Sequence, residues 1–165
     1  MSAGAVVDTV VIRPIATPDV PAVVDLITVV LAEFGLTFGH GSSTDAAVRA
    51  LPGSFTDRGG AFWVAESSGG AILACGGVMP LDPERWEVQK MYASPAARGL
   101  GLGRRLLDHC EAAARAGGAK MLVLDTTNLM SRAHRLYEQA GFVRDDAQIR
   151  GSRCSMGFRK DLDAG

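Results

Sequence analysis

Residues 98–117, RGLGLGRRLLDHCEAAARAG, set three glycines at alternating positions directly ahead of a run of good helix formers, and the apolar stretch KMLVLDT follows at 120–126. Glycine weakens helices and strands by about 0.5–1 kcal/mol relative to alanine, so this spacing requires a backbone reason. A tight turn, a helix–sheet contact and a bound anion are the candidates. Leu102, Leu106, Leu107, Cys110, Ala113 and Ala114 recur on one helical face, and Gly117-Gly118 supplies a stop. KMLVLDT has the near-continuous apolarity of a central strand covered on both faces. With RWEVQKMYA (85–93) as a strand before the glycines, the three pieces form a crossover unit.

The rest of the chain fits around that unit. Residues 6–15, rich in β-branched side chains, read as a first strand. Thr17, Pro18 and Asp19 open a helix in which Val20, Val23, Val24, Ile27, Leu31 and Phe34 share a face. A loop at 35–43 leads to a second short helix, STDAAVRAL, capped by Ser43 or Thr44. AFWVAES (61–67), AILACGGVMPL (71–81) and RWEVQKMYA then predict an antiparallel meander. SRAHRLYEQAG (131–141) reads as the last helix, stopped by Gly141, and FVRDD and SRCSMGFRK supply closing strands.

At 165 residues the chain is expected to form one domain over 1–165, divided into 6–84, a core at 85–143 and closing strands at 144–165. A net charge of −1 provides no global field to recruit nucleic acid or an anionic membrane, so any anion site has to be built locally. Three cysteines without metal-ligand or disulfide-framework spacing, and no secretory or spanning segment, lead to the expectation of a reducing, cytoplasmic setting. His40, His109 and His134 also lack ligand spacing, so no metal is expected.

Gly99, Gly101 and Gly103 let several N–H groups point one way at the positive end of a helix, a nest suited to phosphate oxygens, with Arg98 and Arg104 adding charge. The absence of Lys-Ser/Thr after the last glycine argues against a nucleoside-triphosphate loop. Asp125 keeps a dinucleotide fingerprint open on spacing, but the antiparallel meander upstream is the wrong neighbour for it. A packing device remains the structural alternative.

Read together, EVQKMYASPAARGLGLGRRLL, LVLDTTN and AHRLYEQAGFV closely resemble the GNAT superfamily of N-acetyltransferases. The resemblance implies an α/β (α+β) fold, with a mixed, mostly antiparallel sheet of six to seven strands splayed in the middle and about four helices. It implies acetyl-CoA as cosubstrate. Arg98, Gly99, Leu100, Gly101, Leu102, Gly103 and Arg104 match the pyrophosphate loop, while Met91, Tyr92 and Ala93 match the strand that offers backbone groups to the pantetheine arm. Asn128 and Ser131 match further cofactor positions, though a loop-capping asparagine explains Asn128 as well.

The resemblance further implies Tyr137 as the acid for the leaving sulfur and Glu87 as the base for the incoming ammonium. The alternatives are an aromatic packed on the core for Tyr137 and a cross-strand ion pair with Arg85 or Lys90 for Glu87. Phe34, Leu36, Phe38 and His40 are candidates for an aromatic and apolar wall on the acceptor side, and Arg150 or Arg153 for pairing with an acceptor carboxylate, as in an amino-acid-like substrate, against a reading of a capping loop and surface arginines. The expected activity is acetylation of a primary amine on a small molecule through a ternary complex. Protein N-terminal or lysine acetylation, and a non-catalytic acyl-CoA-binding module, are the alternatives. A homodimer is an open expectation, since dimers are common in the family.

Overall fold

The computed structural model describes residues 9–39 and 45–162. Its elements run β1 (Val11–Pro14), a 3₁₀ turn (Thr17–Asp19), α1 (Val20–Ala32), α2 (Asp45–Arg49), α3 (Gly53–Thr56), β2 (Ala61–Glu66), β3 (Ile72–Pro80), β4 (Arg85–Ala93), α4 (Leu102–Ala116), β5 (Met121–Thr126), α5 (Ser131–Gln139), β6 (Val143–Arg144) and β7 (Met156–Asp161), with further 3₁₀ turns at Pro95–Ala97 and Asp146–Gln148. The seven strands form one sheet in the order β1-β2-β3-β4-β5-β7-β6, and β4/β5 is its parallel pair. That pair is the crossover unit expected around the glycines.

Alternation along the strands gives the sheet two covered faces. Val78 of β3 joins a core with Leu107, Cys110 and Ala114 of α4, whereas the next residue, Met79, joins Val23, Ile27 and Leu31 of α1. Leu122 and Leu124 of β5 are buried, as the continuous apolar run requires. β1 begins at Val11, with residues 9 and 10 outside it, and residues 6–8 of the expected strand, like the expected helix caps Ser43 and Thr44, lie outside the described residues. Its following turn is held by the Asp19 carboxylate, which accepts from the Ala16 N–H and from Arg13. The one-turn α3 was not anticipated, because GSFT carries no helical periodicity.

Two departures from regular pairing open the middle of the sheet. Cys75 pairs with Tyr92 and Gly77 with Gln89, so Lys90 and Met91 stand opposite Gly76 alone, a β-bulge. Lys90 adopts φ 57, in the left-handed region that side chains rarely occupy. Its carbonyl, turned out of the ladder, accepts from the Cys75 thiol at 3.3 Å, and burial pushes that thiol up to about 12, which keeps it a donor. Beyond the bulge, β4 stays with β3 through Ala93, while β5 stays with β7 through Met156. Between them, β4 and β5 pair only from Arg85 to Glu87, and then diverge.

Candidate active site

The divergence produces two spaces that meet. A groove of about 870 Å³ lies toward α4 and α5, and a cavity of about 360 Å³ lies between β4, β5, α1 and the segment 150–154. Met91, Tyr92, Met130, Ala133 and Tyr137 line both, so the junction is made by the bulged strand on one side and by α5 on the other.

The groove is floored by the glycine loop. Gly99 and Gly101 have φ 87 and 74, conformations open to glycine and strained for other residues. Gly103 serves contact instead, since a Cβ there would lie 2.9 Å from Leu136 Cδ2 of α5. The first N–H of this stretch to reach a backbone carbonyl is that of Arg105, on Gly101 at 3.2 Å. Among the described residues, the N–H groups of 99–104 have no such partner, leaving a row of donors at the positive end of α4. Arg98, Arg104, Arg132 and Arg135 line the same groove; its one lining carboxylate among the described residues, Glu33, faces Arg98, and Asp108 pairs with Arg104 at 3.2 Å. Glu33 grips the Arg98 guanidinium through two bonds of 2.7 and 2.8 Å, and that contact holds the Glu33 carboxyl below its ordinary range. A chain with net charge near zero has thus concentrated positive charge where an anion fits.

Tyr137 is buried, packed at 5.9 Å between ring centroids against both Phe142 and Phe158. Burial raises its phenol well above the ordinary value, so it stays protonated. It packs in the core and at the same time lines both spaces. His134, one turn earlier, bonds Thr127 O at 2.9 Å and ties α5 to the end of β5.

In the cavity, Glu87 is 3% exposed. Its Oε1 accepts from Gln89 Nε2 at 2.6 Å and Arg150 Nη1 at 2.8 Å, while its buried Oε2 has no partner among the described residues. Burial raises the Glu87 carboxyl, with Arg150 opposing and Asp125 adding to the rise. The partner is Arg150, neither Arg85 nor Lys90: Arg85 pairs with Asp82 and Gln148, and Lys90 turns to Asp45. Asp125 Oδ2 accepts the backbone N–H groups of Arg150 and Gly151, which pins the loop that carries Arg150.

The far wall is an ionic cluster. Asp45, 1% exposed, accepts from Lys90 Nζ at 2.6 Å, from Arg153 Nη1 and Nη2 at 2.9 and 3.0 Å, and from Gly39 N at 2.7 Å. Burial pushes the Asp45 carboxyl up, but Arg153, Lys90 and the Gly39 N–H together hold it below its ordinary range. Arg153 also donates to Thr37 O, so α2, β4 and the 150–154 segment are joined through one carboxylate.

The expected site residues divide as follows. Met91, Tyr92, Ala93, Arg98, Gly99, Gly101, Leu102, Gly103, Arg104 and Ser131 line the groove. Leu100 and Asn128 are exposed outside its lining, and the Asn128 N–H donates to Ser155 Oγ. Phe34 lines the groove rather than the cavity, and Phe38 lines neither, its ring lying 5.3 Å from the Arg49 guanidinium. Arg153 is in the cavity wall, and His40 lies outside the described residues. Sequence reasoning passed over Glu33, Asp45, Arg132 and Arg135. Only the arginines carried a signal, at helical spacing beside Tyr137 on α5.

Comparison with known proteins finds the same fold and a matching family. Residues 58–144 match the family model described as an acetyltransferase (GNAT) domain. The chain is 36% identical over 140 residues to the uncharacterized N-acetyltransferase YjgM of Escherichia coli (strain K12), covering 82% of this chain and 83% of that one. An acetyltransferase of the GNAT family from Staphylococcus aureus Mu50 superposes with a TM-score of 0.86 at 17% identity, over 94% of this chain and 100% of that one. A GNAT superfamily phosphinothricin acetyltransferase from Sinorhizobium meliloti, in complex with AcCoA, superposes with a TM-score of 0.76 at 18% identity, over 95% and 90% of the two chains.

Proposed function

We propose, since this chain belongs to the GNAT family of acetyl-CoA-dependent acetyltransferases, that its acceptor is the primary amine of a small molecule, which attacks directly while both substrates are bound. The observation that carries this reading is the junction: groove and cavity meet at Tyr137 and the bulge, so donor and acceptor can approach from opposite sides. Acetyl-CoA supplies an acetyl thioester, in which a C–S bond is exchanged for a C–N bond. The N–H row of 99–104, without backbone partners among the described residues, and the four arginines suit its phosphates, and the Sinorhizobium meliloti neighbour is in complex with AcCoA.

The proton inventory suits the chain's own groups. Glu87 takes one proton from the incoming ammonium, and its raised carboxyl lies closer to neutral pH than an exposed one. Tyr137 gives its phenolic proton to the departing sulfur, the second proton shed by the nitrogen as the amide forms restores the phenol, and Glu87 passes its proton to solvent. One proton is released in total. Direct attack is favoured because the cavity's thiol, Cys154, is pushed up to about 12 by burial and by Asp125, so it is no ready nucleophile. The cavity of about 360 Å³ is at the small end of the roughly 300–1,000 Å³ usual for small-molecule sites, which supports a compact acceptor over a peptide.

The test is CoA-thiol release from acetyl-CoA with a panel of small primary amines set against peptides bearing free N-termini and lysines. Small amines are expected to turn over. Exclusive turnover of peptides would replace the acceptor reading with protein acetylation, acetyl-enzyme formed without acceptor would overturn direct attack, and acetyl-CoA binding without transfer to any panel member would favour a non-catalytic module.

A further inference from the structure

Among the described residues, Glu87 Oε2 is a buried oxygen without a donor, in the wall of a cavity, beside a guanidinium held by a single side-chain bond. Arg150 is anchored by its backbone on Asp125, yet its side chain is 52% exposed, so the guanidinium can reorient while the chain stays fixed. An ammonium entering alone would compete for Glu87 and sit next to the Arg150 cation, an unfavourable like-charge contact.

Resting on the acetyltransferase reading above, we propose that the acceptor is an α-amino acid, bound as the zwitterion between Glu87 and Arg150. Its ammonium takes Glu87 Oε2, and its carboxylate takes the Arg150 fork. The signs then alternate from Arg150 through carboxylate and ammonium to Glu87, and no charge is left uncompensated. The two protein groups stand within one hydrogen bond, 2.8 Å, so the substrate charges they bracket have to be close as well. Ammonium and carboxylate on a single carbon satisfy that, and guanidinium is the group best shaped to hold a carboxylate through two parallel bonds. Elsewhere in the cavity lining, Leu31, Leu36, Leu124 and Met130 offer apolar surface to the side chain.

The test compares the proteinogenic L-α-amino acids with their carboxamides and with the amines that have the same side chains but no carboxylate, each assayed by CoA-thiol release. For at least one side chain, the amino acid is expected to exceed both analogues in kcat/KM by about 10–100-fold, the worth of a charge-assisted contact. Arg150→Gln should erase most of that advantage, through KM for the amino acid, and Arg150→Lys should restore part of it. A residue that merely stabilised the loop would lower all three substrate sets alike. Equal or better turnover of carboxamides and amines overturns the amino-acid assignment while leaving amine acetylation standing. Absence of transfer to all three sets overturns both, and calorimetry with acetyl-CoA then reports whether the cofactor reading survives.

Discussion

Asp45→Asn is expected to be the most damaging isosteric substitution in the cavity wall. Four donors converge on the two oxygens of Asp45, from Lys90, Gly39 and both terminal nitrogens of Arg153. An asparagine offers one oxygen and turns an NH₂ toward the donors that had faced the other. At least two buried donors then lose their acceptor, at about 1–3 kcal/mol each. The same change leaves Lys90 and Arg153, 5% and 14% exposed at the side chain, without a counter-charge, and breaking a buried pair costs about 3–5 kcal/mol by itself. These are two descriptions of one loss, so about 3–5 kcal/mol is expected. For a chain of this size that is roughly 6–20 °C in Tm.

Equilibrium denaturant unfolding and calorimetry would measure it, with Asp108→Asn as control. Asp108 makes an exposed i,i+4 pair with Arg104 and should cost under about 0.5 kcal/mol. Removing one cation as well, in Asp45→Asn/Lys90→Met, should recover part of the loss, giving a coupling energy of about 1 kcal/mol or more. The depressed Asp45 carboxyl contributes stability above its unfolded pKa of about 3.9, lost as pH falls through the folded value, so variant and parent should converge in acid. A loss below about 1 kcal/mol at pH 7, or strict additivity in the double variant, would refute the reasoning.

Three further outcomes bear on the site. Glu87→Gln should lower kcat/KM by about 10²–10⁴-fold and abolish its fall at acid pH; a pH profile of unchanged shape would count against Glu87 as base. Because a raised folded carboxyl weakens the fold as pH rises from its unfolded value through the folded one, the same variant should keep or gain Tm at pH 7. Tyr137→Phe should reduce kcat with little change in acetyl-CoA affinity by calorimetry, and undiminished turnover at every pH would remove its acid role. Gly101→Val places a β-branched side chain at φ 74 and should weaken acetyl-CoA binding at least about tenfold, while far-ultraviolet circular dichroism stays that of the parent.

What the sequence determines here is local. The 3.6-residue recurrence of Leu102, Leu106 and Cys110 and the unbroken apolarity of KMLVLDT dictate helix and central strand, because backbone periodicity alone decides which side chains share a face. The glycines with their neighbours dictate a row of N–H groups at a helix start, because positive φ and a helix start are properties of a few consecutive residues.

The acceptor cavity is decided by the tertiary structure. Glu87 is partnered by Arg150, 63 residues away, and Lys90 by Asp45, 45 residues away; the near-strand partners Arg85 and Lys90 that spacing proposes for Glu87 are engaged elsewhere. The physical reason is the bulge at Lys90 and Met91. An extra residue interrupts the period-two alternation, so the side that each later side chain faces can no longer be counted from those before it. The space it opens is lined by whichever loops the topology brings across the strand ends. Composition could say that this chain has no general attraction for anions, but only the folded arrangement brought four arginines to one groove and left a buried carboxylate oxygen of Glu87 without a donor among the described residues.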